Sequence, residues 1–333
     1  VGRWRIAGCL LAVCLLAPGS AAAGAGSAGQ GPASKGPAAS DRDRTAVDSP
    51  LRDAFMTRGP DGAYFLTGTA GTHDKQDRVD FDYNRGVPLW RSTNLQAWTS
   101  LGLVWDRVER LAASGRKGGH LWIDWSAPAE RIDGLLANAT TTPKLYRIKD
   151  AWFLLFAQNG QNVFVLKSES GKPEGPYADH GYLATRGGHP SFFVADDGSV
   201  HLVLADGWIV RMRPDLREAA EDIRLLLPAA PAPGKGRLTL GARGVALFKR
   251  NGRYQALAAR WCVRGGVPSH DAVLWTADTV YGPYRETPCV LPDTGPVTVF
   301  RGPGGGWMAV SSRPVEGTPR IIEIPPAPDR RTP

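Results

Sequence analysis

Two tryptophans, Trp122 and Trp125, stand beside His120 in the segment Gly119-His120-Leu121-Trp122-Ile123-Asp124-Trp125. Indole rings offer a broad apolar face for stacking, and a histidine can carry a proton near neutral pH. A second cluster, Asp74, Asp77, Asp80 and Asp82, could gather carboxylates around Ca²⁺, but it lacks the EF-hand spacing and reads equally as a solvated loop. No cofactor is expected. Of the four cysteines, Cys9 and Cys14 fall in an N-terminal apolar run, leaving Cys262 and Cys289. These two either form a disulfide or remain separate buried thiols. No Cys/His spacing points to zinc. The net charge of +8 comes from 40 basic and 32 acidic residues, scattered singly. A nucleic-acid reader would show a clustered basic stripe, so that class is excluded.

Short strands dominate the elements that must hold such groups. AYFLTGT, WFLLFA, NVFVLKS, SFFVA, VHLVLA and AVLWTA are rich in aromatic and β-branched residues and end at Gly, Asp or Pro. Asp61-Gly62, Asp197-Gly198 and Asn251-Gly252 sit between hydrophobic runs as hairpin turns. The tags Glu174-Gly175-Pro176-Tyr177 and Tyr281-Gly282-Pro283-Tyr284 repeat one signature. Five recurrences of this beat predict an all-β fold, a five-bladed β-propeller. The blades are expected at 51–107, 140–184, 187–228, 239–290 and 292–325, with a long insertion at 108–139 and a tail at 326–333. Arg217 to Leu226 could form a helical turn or two. Trp90, Trp105, Trp152, Trp208, Trp261, Trp275 and Trp307 recur within blades and read as core. Trp122 and Trp125 lie outside any blade and are the better candidates for contact with a ligand.

The runs LRDAFMTRGPDGAYFLTGT, DFDYNRGVPLWRSTNLQAWTSLGLVWD, SESGKPEGPYADHG, RGGHPSFFVADDGSVHLV, GVALFKRNGRYQAL and TADTVYGPY, in that order, resemble glycoside hydrolase family 43. The likeness is strongest to secreted bacterial relatives near the furanosidase clan and covers nearly all of 51–312. It implies a five-bladed propeller and hydrolysis of glycosidic bonds, typically by inversion at arabinosyl or xylosyl sugars. Inversion needs one carboxylate to activate water and one carboxylic acid to protonate the leaving oxygen, about 6.5–9.5 Å apart. The family's base position maps onto Asp53, beside Arg52. Its second acidic position is occupied by His189 and its acid position by Arg243. A further acidic position in the second blade holds Lys144, and Pro296 stands where the family has an axial histidine. Asp271 matches a Tyr-Asp position of the family and is assigned to the funnel near His189.

Arginine stays protonated and cannot donate its proton as an acid. Losing a positioned general acid removes about 10²–10⁴ of rate acceleration. Two accounts follow. Catalysis is rebuilt with His189 or His120 as the acid opposite Asp53; or the funnel has become a binding site in which Lys144, His189 and Arg243 hold an anionic sugar, a uronate or a sulfate, by charge-assisted contacts. A non-catalytic interaction propeller is a third class. The expected partner is carbohydrate, with no nucleic acid and no membrane, and the protein is expected to be a monomer.

Arg3 and Arg5 precede the apolar run Ile6 to Leu16, which is too short to span a bilayer and ends at Pro18-Gly19 before Ala21-Ala22-Ala23. Residues 1–23 read as a secretory signal. Residues 24–50, rich in Gly, Ala, Ser and Pro, read as a disordered tether. Val1 suggests a start codon other than ATG. A secreted or periplasmic bacterial protein is the expectation.

Overall fold

The computed structural model describes residues 44–45, 47, 49–73, 79–81, 84–106, 130–132, 135–137, 140–158, 161–183, 188–229, 240–241, 243–264, 266–312 and 317–324. Within them lie five four-stranded antiparallel sheets arranged as a five-bladed β-propeller. From the axis outward, the first blade runs Leu51–Arg58, Tyr64–Ala70, Gly86–Ser92 and Thr99–Asp106. The second runs Thr140–Ile148, Ala151–Gln158, Gln161–Ser168 and Tyr177–Leu183, and the third Ser191–Val194, Val200–Val203, Trp208–Arg211 and Arg224–Leu225. The fourth runs Val245–Arg250, Arg253–Arg264, Val267–Ala277 and Arg285–Leu291. The fifth has Val297–Arg301, Trp307–Ser312 and Pro319–Glu323, and its outer strand is Arg44–Thr45. The propeller therefore begins ahead of Leu51, inside the segment expected to be a tether. The innermost strands touch one another in sequence, and the fifth touches the first, closing the ring.

Blade faces explain the continuous apolar runs. Leu154 and Phe156 pack toward the first blade with Phe65, Val87 and Trp105. Their neighbours Phe153 and Leu155 pack toward the third blade with Phe192 and Leu202. A strand between two blades is buried on both faces, so polar alternation is lost. Similar clusters fill the interfaces of the third with the fourth blade, the fourth with the fifth, and the fifth with the first. Each fully buried ring or branched chain, such as Phe156 or Leu154, contributes about 1.5–3 kcal/mol.

The three hairpin turns form where expected. Asn251 and Gly252 have φ of 52° and 75°, as a two-residue turn with both central residues left-handed requires. The two Gly-Pro tags are equivalent: Tyr177 Oη donates to the Pro173 carbonyl (2.7 Å) and Tyr284 Oη to that of Val280 (2.9 Å). Two expectations change. The segment from Arg217 to Leu226 contains no helical turn; it winds into the short outer strand Arg224–Leu225, paired with Trp208–Arg211. Trp208 and Trp261 are exposed rather than part of the core. Of the two readings for the cysteines, the structure shows Cys262 as a free thiol. Most of the 108–139 insertion lies outside the described residues, apart from the hairpin Glu130–Ile132 with Leu135–Ala137. Asp74, Asp77 and Asp82 lie outside them too.

Candidate functional site

The first two blades present their polar groups to the axis by the same device. Pairing of the innermost strand with its neighbour jumps between Arg52 and Phe55 in the first blade, and between Thr141 and Lys144 in the second. Each jump carries a left-handed non-glycine residue, Asp53 at φ 56° and Thr142 at φ 51°. A bulge of this kind re-aims a side chain, and each such residue costs about 1–3 kcal/mol. Hydrogen bonds within the first blade and across to its neighbours offset that cost. Thr69 Oγ1 donates to Asp53 Oδ2 (3.2 Å) and accepts from the Thr142 N–H (2.8 Å). The fifth blade clamps the neighbouring Ala54: Thr298 Oγ1 donates to its carbonyl (2.9 Å) and its N–H donates to Ser312 Oγ (3.3 Å).

His189 enters from the third blade at φ 54°, between Gly188 and Pro190. Gly244, at φ 105°, lies so close that a Cβ there would sit 3.0 Å from the His189 Cβ. Only glycine combines that φ with that approach. Arg243 thus follows the turn at Gly241 and stands exposed at the rim.

Asp53, Lys144, His189 and Arg243 line one axial pocket, with Thr142, Pro296 and Thr298 among its walls. Asp53 and Lys144 are buried, and His189 is partly so. His189 Nδ1 is 3.7 Å from Asp53 Oδ1, and Arg52 Nε is 3.6 Å from Asp53 Oδ2. Burial pulls the Lys144 ammonium down to about 8, against the opposing pull of Asp53. Burial also lowers the His189 pKa, and the charges of Lys144, Arg243 and Arg52 add to that effect while Asp53 opposes it. At neutral pH the ring is therefore neutral while the lysine is largely protonated. The pocket is narrow: a water centre can occupy about 20 Å³ of it, room for about one water.

Of the sequence-derived candidates, the structure brings Asp53, His189, Lys144, Arg243 and Arg52 together. Asp271 stands apart, buried in the third strand of the fourth blade, where it accepts from the Asp293 N–H (3.0 Å). It does not line the pocket. His120, Trp122 and Trp125 lie outside the described residues. Sequence reasoning missed Thr69, which donates to the Asp53 carboxylate, and Thr142, whose N–H holds Thr69 in place; threonines are too common in strands to mark either. It also missed a cavity of about 450 Å³ at the hairpin end of the third and fourth blades, lined by Asp197, His201, Glu221, Tyr254 and Tyr281 among others. There Glu221 accepts from the Tyr281 hydroxyl and lies 3.9 Å from Arg211 Nε and 3.7 Å from an Arg224 guanidinium nitrogen. His201 Nδ1 is buried with no partner.

Solved structures share this architecture. The GH43 protein BlXynB of Bacillus licheniformis (a point mutant) superposes with a TM-score of 0.60 at 18% identity, over 84% of this chain and 53% of that one. The chain thus spans about half the length of that protein. The endo-arabinase of Bacteroides thetaiotaomicron VPI-5482 gives 0.58 at 18% identity, over 85% of this chain and 97% of the other. An endo-1,4-beta-xylanase from the same organism gives 0.55 at 19%, over 83% and 90%. No curated protein matches the chain. Residues 47–311 match the sequence model of glycosyl hydrolases family 43, and the chain belongs to that family.

Proposed function

We propose that this protein binds an anionic unit of a glycan at the axial funnel and that the acid-assisted hydrolysis of its family has been lost. The carrying observation is the charge of the pocket. Among the described residues that line it, Asp53 is the one carboxylate, while Lys144 and Arg243 are cationic and Arg52 lies beside it. Inversion uses two carboxyl groups about 6.5–9.5 Å apart, with a water and the scissile bond between them. Asp53 has instead a histidine at 3.7 Å, too close for substrate to pass between. That histidine is also neutral at physiological pH and a poor proton donor. The narrow pocket has room for a carboxylate or sulfate oxygen. The charged group therefore dips between Lys144 and Arg243 while the ring rests at the mouth, held by charge-assisted hydrogen bonds. The N-terminal segment supports export, so the ligand would be met outside the cytoplasmic membrane.

The deciding experiment measures binding and reducing-sugar release together, on uronate-containing, sulfated and neutral oligosaccharides. The reading expects binding of acidic members without turnover. Release of reducing ends that disappears in Asp53→Asn would overturn it in favour of a rebuilt glycosidase. Binding of neither class would leave an interaction propeller.

A further inference from the structure

The fourth blade carries a feature that its neighbours lack. Its second and third strands, Arg253–Arg264 and Val267–Ala277, outrun both flanking strands. The innermost strand begins pairing at Val245 with Ala258, and the outermost ends at Leu291 opposite Ala272. Beyond those points the two strands continue as a free ribbon to Arg264 and Val267. A two-stranded ribbon is marginal alone, and one of its faces is tied down. Ser269 Oγ donates to Asp293 Oδ1 (2.9 Å), the Asp293 N–H donates to Asp271 Oδ1 (3.0 Å), and Arg260 pairs with Glu286 (2.8 Å).

The other face carries two exposed apolar side chains among the described residues. Trp261 is 60% exposed and Val263 52% exposed. His270 pairs directly with Trp261 in the antiparallel register, so their side chains share that face. His270 also links it to the funnel: burial chiefly holds its pKa down and the Arg243 charge adds to that, and its carbonyl accepts from the Gly295 N–H (2.9 Å), next to the Pro296 that lines the pocket. The ribbon thus stands on the funnel rim with an indole facing outward.

We propose that this face is a second sugar subsite, in which the unit adjoining the funnel-bound anionic sugar stacks its C–H face on Trp261. The proposal rests on the funnel reading and adds that the ligand is a chain of at least two units. An aromatic ring with a polar neighbour is the chemistry that holds a sugar face. One tryptophan and one valine offer far less than the ~800 Å² per partner that a stable protein interface needs, which favours a saccharide over a second copy of this chain.

The test compares an acidic monosaccharide with its tetrasaccharide, by calorimetry and tryptophan fluorescence, on the unaltered protein, Trp261→Ala and Trp261→Phe. The expected result is a roughly tenfold loss of tetrasaccharide affinity in Trp261→Ala, unchanged monosaccharide affinity, and recovery in Trp261→Phe. Equal tetrasaccharide affinity in all three proteins would overturn the subsite and leave the funnel reading intact. An equal loss for both ligands would also overturn it, as a change transmitted through the fold. No binding of either ligand by the unaltered protein would overturn the funnel reading and the subsite with it. A change confined to sedimentation would identify a self-association face instead.

Discussion

Nδ1 of His189 lies 3.7 Å from Oδ1 of Asp53, a contact that crosses the funnel from the entrance of the third blade to the innermost strand of the first. The two groups that would have to flank a glycosidic bond touch one another instead. Asp53 is occupied further by Thr69 and by Arg52. The carboxylate is thus an internal counter-ion, and the chemistry left facing outward is cationic.

That role sets the expected behaviour of Asp53→Asn. Removing a negative charge from an anion site strengthens it, so affinity for an acidic saccharide rises several-fold at pH 6, where Lys144 retains its proton. Calorimetry on the variant checks this, and weaker binding would contradict the counter-ion role.

Lys144→Met removes the buried cation and keeps the length of the chain. A charge-assisted hydrogen bond of about 1.5–3 kcal/mol is lost, equivalent to a roughly ten- to hundredfold weaker Kd for the acidic ligand. A neutral saccharide of the same size, titrated alongside, should be unaffected.

The same ammonium gives the binding a pH limit. Lys144 is charged below its pKa of about 8 and neutral above it. Affinity for an anion therefore falls as pH rises through about 8, and a Kd profile from pH 6 to 10 should show the loss in the native protein but not in Lys144→Met.

Thr69→Val tests the support of the bulges. The substitution keeps shape but removes the hydroxyl between Asp53 Oδ2 and the Thr142 N–H, leaving a buried donor unsatisfied. The expected cost is about 1–3 kcal/mol in urea unfolding, with weakened anion binding because both bulges relax.

Acid stability follows from the histidines. His180, His189, His201 and His270 are each held below the ordinary 6.5, in every case chiefly by burial. Between 6.5 and their folded values the unfolded chain binds more protons, so stability is complete above 6.5 and declines as pH falls through that window. His201→Phe, placed between the rings of Phe193 and Tyr281, should flatten the decline of Tm on acidification.

Features decided within a few residues were legible in the sequence. Asp61-Gly62 and Asn251-Gly252 mark turns because Gly62, Asn251 and Gly252 take the left-handed φ that those turns need, and the AWFLLFAQ run marks a strand buried on both faces. The convergence of Asp53, Lys144, His189 and Arg243 was legible through the family framework that spaces them. What escaped depends on partners far away in the chain. The left-handed φ of Asp53 and Thr142 is set by a register jump against the next strand. The exposure of Trp261 is set by where Val245–Arg250 and Arg285–Leu291 stop. The strand at Arg44–Thr45 sits in a polar segment and exists only because Pro319–Glu323 has an open edge.

The clamp on Ala54 also fixes when the site can exist. Asp53 belongs to the first blade to leave the ribosome, but the hydrogen bonds that clamp the neighbouring Ala54 come from Thr298 and Ser312, and the ring closes only on Pro319–Glu323. A nascent chain carrying four finished blades still lacks a funnel. Ligand can act as a folding partner only at the last step, once the fifth blade seats. Any interruption late in synthesis would yield a chain that is mostly folded yet blind to its ligand.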